Sequence, residues 1–212
     1  AEFPNLFDSQ SKGFSQGVLM GARSQRIIEC FNRGNRYIES NQIMSLLIRD
    51  LSKCFPNSKI VHIVRSPFSF VKSSLQKGWY LNDTVWEYGR IKMECDLWAS
   101  MSQVQKLTWY WSEVNGRVLS EISDCDLEGK FLSLRLEDLK QNIQQEKLAN
   151  FIGVETKSLT KVRSRPVNKA KKSEWWSGDN INKMKNKSVD ISEIRECLHK
   201  DFKMLLRKYN YD

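Results

Sequence analysis

The sequence predicts an α/β fold, a parallel sheet flanked by helices, in a single domain over residues 1–212. Three observations carry this reading. Hydrophobic residues make up 40% and charged residues 28% of the chain, a balance suited to a packed core. KIVHIV (Lys59–Val64) is a near-continuous apolar run, the pattern of a strand buried on both faces of a parallel sheet. Helical apolar spacing lies on either side of it, and strands alternating with helices build a layered sheet.

Taken in order, RYIES (Arg36–Ser40) is a short strand candidate. From Gln42 to Phe55, apolar residues at 43, 46, 47, 51 and 54 recur at helical spacing. Lys59–Val64 is the next strand, and Ser66 to about Lys77 the helix after it. Thr84 to Ile122 reads as two helices rich in Trp and Tyr. GKFLSLRLEDL opens with a third strand, Lys130–Leu134. Gln141–Ile152 is helical and stops at Gly153, a residue suited to the left-handed conformation after a helix. Residues 166–186 read mostly as loop, and Ile191–Tyr209 as a closing helix.

Composition narrows the function. The five cysteines (Cys30, Cys54, Cys95, Cys125, Cys197) form no CxxC pair, and the only histidines are His62 and His199. We expect no metal site, and reduced thiols in a cytoplasmic compartment. No window approaches the roughly 18 apolar residues of a membrane span, and no signal-peptide pattern is visible. The net charge is +9. Between Lys157 and Lys187 ten cations face only Glu174 and Asp179. This basic 157–187 region attracts anions such as nucleotide phosphates, sulfated sugars or nucleic acid; its plainer reading is a solvated loop.

The most informative stretch is KIVHIVRSPFSFVKSSL (Lys59–Leu75). In a parallel sheet, ligands bind beyond the carboxyl ends of the strands, where Arg65 stands. Ser66 suits an N-cap and Pro67 the first helical position. The leading N–H groups and the positive end of the helix dipole make an anion site. Ser66, Ser69 and Ser73 share one helix face; Phe68, Val71 and Leu75 share another that would pack on the sheet. A guanidinium fork with hydroxyl donors is half of a phosphate pocket. The same residues also fit a salt-bridged strand end beside a wet serine face.

Beyond that physics, the stretch resembles the 3′-phosphate motif of the sulfotransferases that use 3′-phosphoadenosine 5′-phosphosulfate (PAPS). In that motif an apolar strand is followed by Arg, a small or acidic residue, often Pro, and a Ser eight residues after the Arg. Arg65 and Ser73 have this separation. RYIESNQIMSLLIRDLSKCFPNSKIVHIVR is similar to the family's segment of strand, loop, helix, Phe-Pro turn and strand. RLEDLKQN with LANFIGV resembles its Arg-Tyr-Glu-Asp-Leu segment and the helix after it. VNKAKKSEWW falls where the family has a basic loop over the cofactor, and RKYNYD matches its close. The resemblance covers roughly residues 30 to 212. It implies a P-loop-NTPase-like architecture and sulfuryl transfer from PAPS to a hydroxyl or amine of a small-molecule or carbohydrate acceptor. Arg65, Ser66 and Ser73 would hold the 3′-phosphate of PAPS or of its product, 3′,5′-adenosine bisphosphate (PAP). Lys169, Lys171 and Lys172 would close over it, and Trp175 would pack on the adenine. No metal is implied.

The chain departs from the family in two places. The family's phosphosulfate loop, Arg-Ser-Gly-Thr-Thr or Lys-Ser-Gly-Thr, is not intact. Its nearest counterpart is GVLMGARSQRIIECF, with Arg23 and Ser24 as remnants, or else an ordinary helix, so the first strand is missing or modified. Where one branch has a Lys-Thr-His triplet, this chain has Glu39-Ser40-Asn41. Glu39 is the candidate base, or a structural acid pairing an arginine. Leu136 stands where the family often has Tyr. The alternatives are a non-catalytic PAP-binding relative and, less favoured, a nucleic-acid-binding protein. His62 reads as a core histidine. The aromatic run from Trp79 to Trp111 reads as interhelical packing, or as an acceptor wall near Gly78–Tyr80.

Overall fold

The structure, a computed structural model, describes residues 12–80, 97–159 and 200–211. In chain order these form α1 (Lys12–Asn32), a 3-10 turn (Gln42–Leu46), α2 (Ile48–Cys54), β1 (Ile60–Val64), α3 (Pro67–Gln76), α4 (Leu97–Ser100) and α5 (Gln103–Ser123). Then come β2 (Phe131–Arg135), a 3-10 turn (Leu136–Lys140), α6 (Asn142–Ile152), α7 (Thr156–Leu159) and α8 (Lys200–Lys208). Among the described residues, β1 and β2 pair as a parallel two-stranded sheet. The described residues divide into two compact units, 12–60 with 117–131, and the remainder.

In the first unit α1 packs on α2. The helix expected over 42–55 is broken at Leu47, whose φ of −126° and ψ of 24° leave the helical region. The Ser45 hydroxyl donates to the Gln42 carbonyl oxygen at 2.6 Å, a local bond that competes with the helical ladder. α2 then restarts against a distant acid: the Arg49 N–H donates to Glu121 Oε2 at 3.1 Å. Burial pushes the Glu121 carboxyl up despite that bond. Ile48, Val118 and Leu127 form the buried centre, with Ile60, Ile122, Cys125 and Phe131 against them. RYIES is not a strand. Residues 35–41 are irregular and Ile38 is 76% exposed, with no strand beside it among the described residues.

The second unit centres on Val71, Tyr80, Val104 and Leu107, with Phe68, Phe70, Leu75, Trp79, Trp98 and Tyr110 packed around them. Thus α3 buries the apolar face its spacing predicts, and Phe70 as well, but in a cluster built with α4, α5 and Trp79–Tyr80 that contains no residue of the sheet. Tyr80 has φ 58°, a left-handed conformation costing a non-glycine residue about 1 kcal/mol. Packing holds it there: its ring meets Trp98 edge-on at 5.0 Å. In β2, Leu132 and Leu134 are buried and alternate with half-buried neighbours. In β1, Val64 is buried but Ile63 is 48% exposed. The expectation of burial on both faces therefore fails at Ile63, while Ile60, Val61 and His62 are half-buried and Val64 is buried. α6 ends as expected, with Gly153 at φ 71° and ψ 46° and the Val154 N–H donating back to the Ala149 oxygen at 3.0 Å.

Candidate functional site

Arg65 follows β1 directly, and Pro67 opens α3 two residues later. The peptide group between Arg65 and Ser66 is gripped at both ends. Its carbonyl oxygen accepts from Trp111 Nε1 at 2.8 Å. Its N–H donates to Glu137 Oε1 at 2.9 Å. Glu137 Oε2 accepts from the Tyr211 hydroxyl at 2.7 Å, and the Val64 carbonyl oxygen lies 3.1 Å from the same hydroxyl. Arg135 lays its guanidinium over the Tyr211 ring at 4.5 Å and donates to the Asn210 oxygen at 2.7 Å. Asn210 and Tyr211 are thereby latched beside the end of β1.

The electrostatics follow from these contacts. Burial works against the Glu137 charge, but the bonds from Tyr211 and from the Ser66 N–H outweigh it. The carboxyl therefore sits below its ordinary range. Burial, then the bond to Glu137, pushes the Tyr211 phenol up. The helix start does attract an anion, as its dipole demands, but the anion at the Ser66 N–H is the protein's own. Ser66 makes no side-chain cap bond. Instead Glu137 does from 71 residues away what a local Glu does in a capping box.

Ser66, Ser69 and Ser73 are half-buried on α3, and Arg65 is half-buried beside them. Ser74, by contrast, is buried at 2% exposure. Ser73 stands about 10 Å of helix rise beyond Ser66. A permanent cation, Arg65, and the hydroxyl donors of α3 form a donor set that fits a phosphate, while the Glu137 carboxylate is bonded to the protein's own Ser66 N–H and Tyr211 hydroxyl. A family model described as a sulfotransferase domain matches residues 25–209, nearly the whole chain. The chain belongs to the sulfotransferase family. No curated protein and no solved structure matches it.

In this sulfotransferase-family chain the proposed remnant of the phosphosulfate loop is corrected. α1 runs unbroken through Gly21, Ala22, Arg23 and Ser24. Mid-helix amides are committed to the ladder, so this stretch cannot wrap a phosphate. Ser24 donates its hydroxyl to the Met20 carbonyl oxygen. Arg23 forks onto Glu39, at 2.6 Å to Oε2 and 2.7 Å to Oε1. Glu39 also accepts from the Tyr37 hydroxyl at 2.8 Å. The Arg23 bond, helped by Tyr37 and opposed by burial, holds the Glu39 carboxyl below its ordinary range. A carboxylate so stabilised is a weaker proton acceptor, and its pairing with Arg23 is the arrangement expected of a structural acid.

Lys169, Lys171, Lys172 and Trp175 lie outside the described residues. His62 is half-buried in β1 as a core histidine, its ring 6.1 Å from that of Tyr209. The wall expected at Gly78–Tyr80 is largely core: Tyr80 is 5% exposed and Trp79 meets Phe70 at 5.8 Å. Among the described residues no group of side chains suits a metal, and no helix is long and apolar enough to cross a membrane. Sequence reasoning missed Glu137, Tyr211 and Trp111. The first two lie in RLEDL and RKYNYD, segments that carry the family resemblance, and that was their only signal.

Proposed function

We propose that this chain transfers a sulfuryl group from PAPS to a hydroxyl or amine of a small-molecule or carbohydrate acceptor. One observation carries the reading: Arg65 stands directly beyond β1, at the start of α3, with Ser73 eight residues on. Arg65 and Ser73 hold the 3′-phosphate, and the Ser66 hydroxyl lies on the same face. Lys169, Lys171 and Lys172 close over the nucleotide, and Trp175 packs on its adenine. PAPS supplies the sulfuryl group, and the protein contributes positioning and charge stabilisation, as in phosphoryl transfer. The family match runs through both compact units, which supports one sulfotransferase domain. The free thiols of Cys30, Cys54 and Cys125 favour a cytoplasmic setting.

A second reading, a PAP-binding relative without turnover, is favoured by α1 running through the stretch nearest the phosphosulfate loop. Isothermal titration with PAP and PAPS, beside a sulfate-transfer assay, separates the two. Binding with turnover, both lost in Arg65→Ala, supports transfer. Binding without turnover supports the relative. Absence of nucleotide binding in the wild type sinks both, and salt-sensitive binding of nucleic acid in its place would favour a nucleic-acid protein.

A further inference from the structure

We propose that Glu137, backed by Tyr211, is the positioning residue of the Arg65 half-site. It fixes the Arg65–Ser66 peptide so that the guanidinium and the serine face of α3 address one anion. This rests on the reading of Arg65 and Ser73 as the 3′-phosphate ligands.

The argument begins with a single peptide plane. Turning it would break the Trp111 bond to the Arg65 oxygen and the Glu137 bond to the Ser66 N–H together. The ψ of Arg65 and the φ of Ser66 are thereby set, and with them the direction in which the Arg65 side chain leaves the strand. Each half of the grip is itself held. Trp111 is 3% exposed and packs on Phe202 of α8 at 5.3 Å. Glu137 takes the Tyr211 hydroxyl at 2.7 Å, and Tyr211 lies under the Arg135 guanidinium at 4.5 Å. Separate parts of the chain thus converge on the one backbone group between strand and helix.

A carboxylate beside an anion site would ordinarily repel the ligand. Here its oxygens are turned to the Ser66 N–H and the Tyr211 hydroxyl, and the nearby Arg135 guanidinium offsets part of its charge; it also takes the Ser66 N–H from the ligand. The phosphate is therefore read by side chains, Arg65 and Ser73, whose aim depends on the backbone Glu137 holds. Charge-assisted bonds are the stronger kind, which suits a carboxylate to this task better than an amide.

The test compares PAP with 5′-AMP, which lacks the 3′-phosphate, in wild type, Glu137→Ala, Glu137→Gln, Tyr211→Phe and Arg65→Ala, with a thermal melt of each. Losing a charge-assisted bond predicts about a tenfold loss of PAP affinity in Glu137→Ala, with AMP affinity changed less than about twofold. Tyr211→Phe should show a smaller loss, again for PAP alone. Glu137→Gln keeps an acceptor for the Ser66 N–H without the charge, so its PAP affinity should fall between those of the wild type and Glu137→Ala. Unchanged PAP affinity in Glu137→Ala, or parallel weakening of both nucleotides, overturns the proposal. Should Glu137→Ala fail to fold, Tyr211→Phe decides, and an unchanged PAP preference there overturns it equally. A wild type without any preference for PAP over AMP, and indifferent to Arg65→Ala, refutes the half-site reading instead.

Discussion

At His62, burial within β1 pushes the imidazole down to about 4 from its ordinary 6.5, against a bond with Asn115 that raises it. The folded protein therefore holds His62 neutral while the unfolded chain protonates near pH 6.5. This stabilisation is full above that value and is lost as pH falls towards 4, on the order of 3 kcal/mol in all. Thermal melts should fall more steeply between pH 6.5 and 4.5 in the wild type than in His62→Leu; equal slopes would refute the assignment. Glu137 acts in the same sense, its lowered carboxyl losing its contribution as pH falls, which is why the difference between the two proteins is the quantity to read. Arg65 was legible in the sequence because an arginine closing an apolar run is a local anomaly. Glu137 and Trp111 were not, because the contacts that define them span 71 and 46 residues. Glu39 was legible only as two alternatives, and the Arg23 fork favours the structural one.

Elements whose signals are local formed where their sequence placed them. The β1 run rests on a few consecutive residues, and the Ser66-Pro67 start of α3 and the Gly153 stop of α6 each rest on one or two. Gly153→Ala places a Cβ at φ 71° and should cost about 1 kcal/mol, read as a lower midpoint in urea. Leu107 in α5 is fully buried, so Leu107→Ala should cost about 2–5 kcal/mol by the same measurement. A loss below about 1 kcal/mol there would mean that the Val71–Tyr80–Leu107 cluster is not a close-packed core. RYIES failed as a strand for the opposite reason: apolar content makes a strand only where a neighbouring edge takes up its hydrogen bonds. The Gln42–Phe55 helix broke at Leu47, where Ser45 and Glu121 divert its backbone groups.

For the whole molecule the net charge of +9 draws anions of any kind, so charge alone does not choose a ligand. PAP affinity should weaken as the Debye length shrinks from about 10 Å at 0.1 M salt to about 3 Å at 1 M, yet keep its preference for PAP over AMP. Loss of that preference along with the affinity would mean that general charge, and not Arg65, does the binding. Sequence by itself determined the family, the anion-seeking charge, the β1–α3 turn and the cysteine and histidine chemistry, since these depend on residue type and short spacing. Tertiary structure alone decided that Arg23 and Glu39 bond to each other. It alone decided which aromatics are core, and that Glu137 and Tyr211 hold the stretch KIVHIVRSPF where strand becomes helix. A short window of sequence specifies how the backbone turns, but the partners that hold that turn come from segments far along the chain, and only folding brings them together.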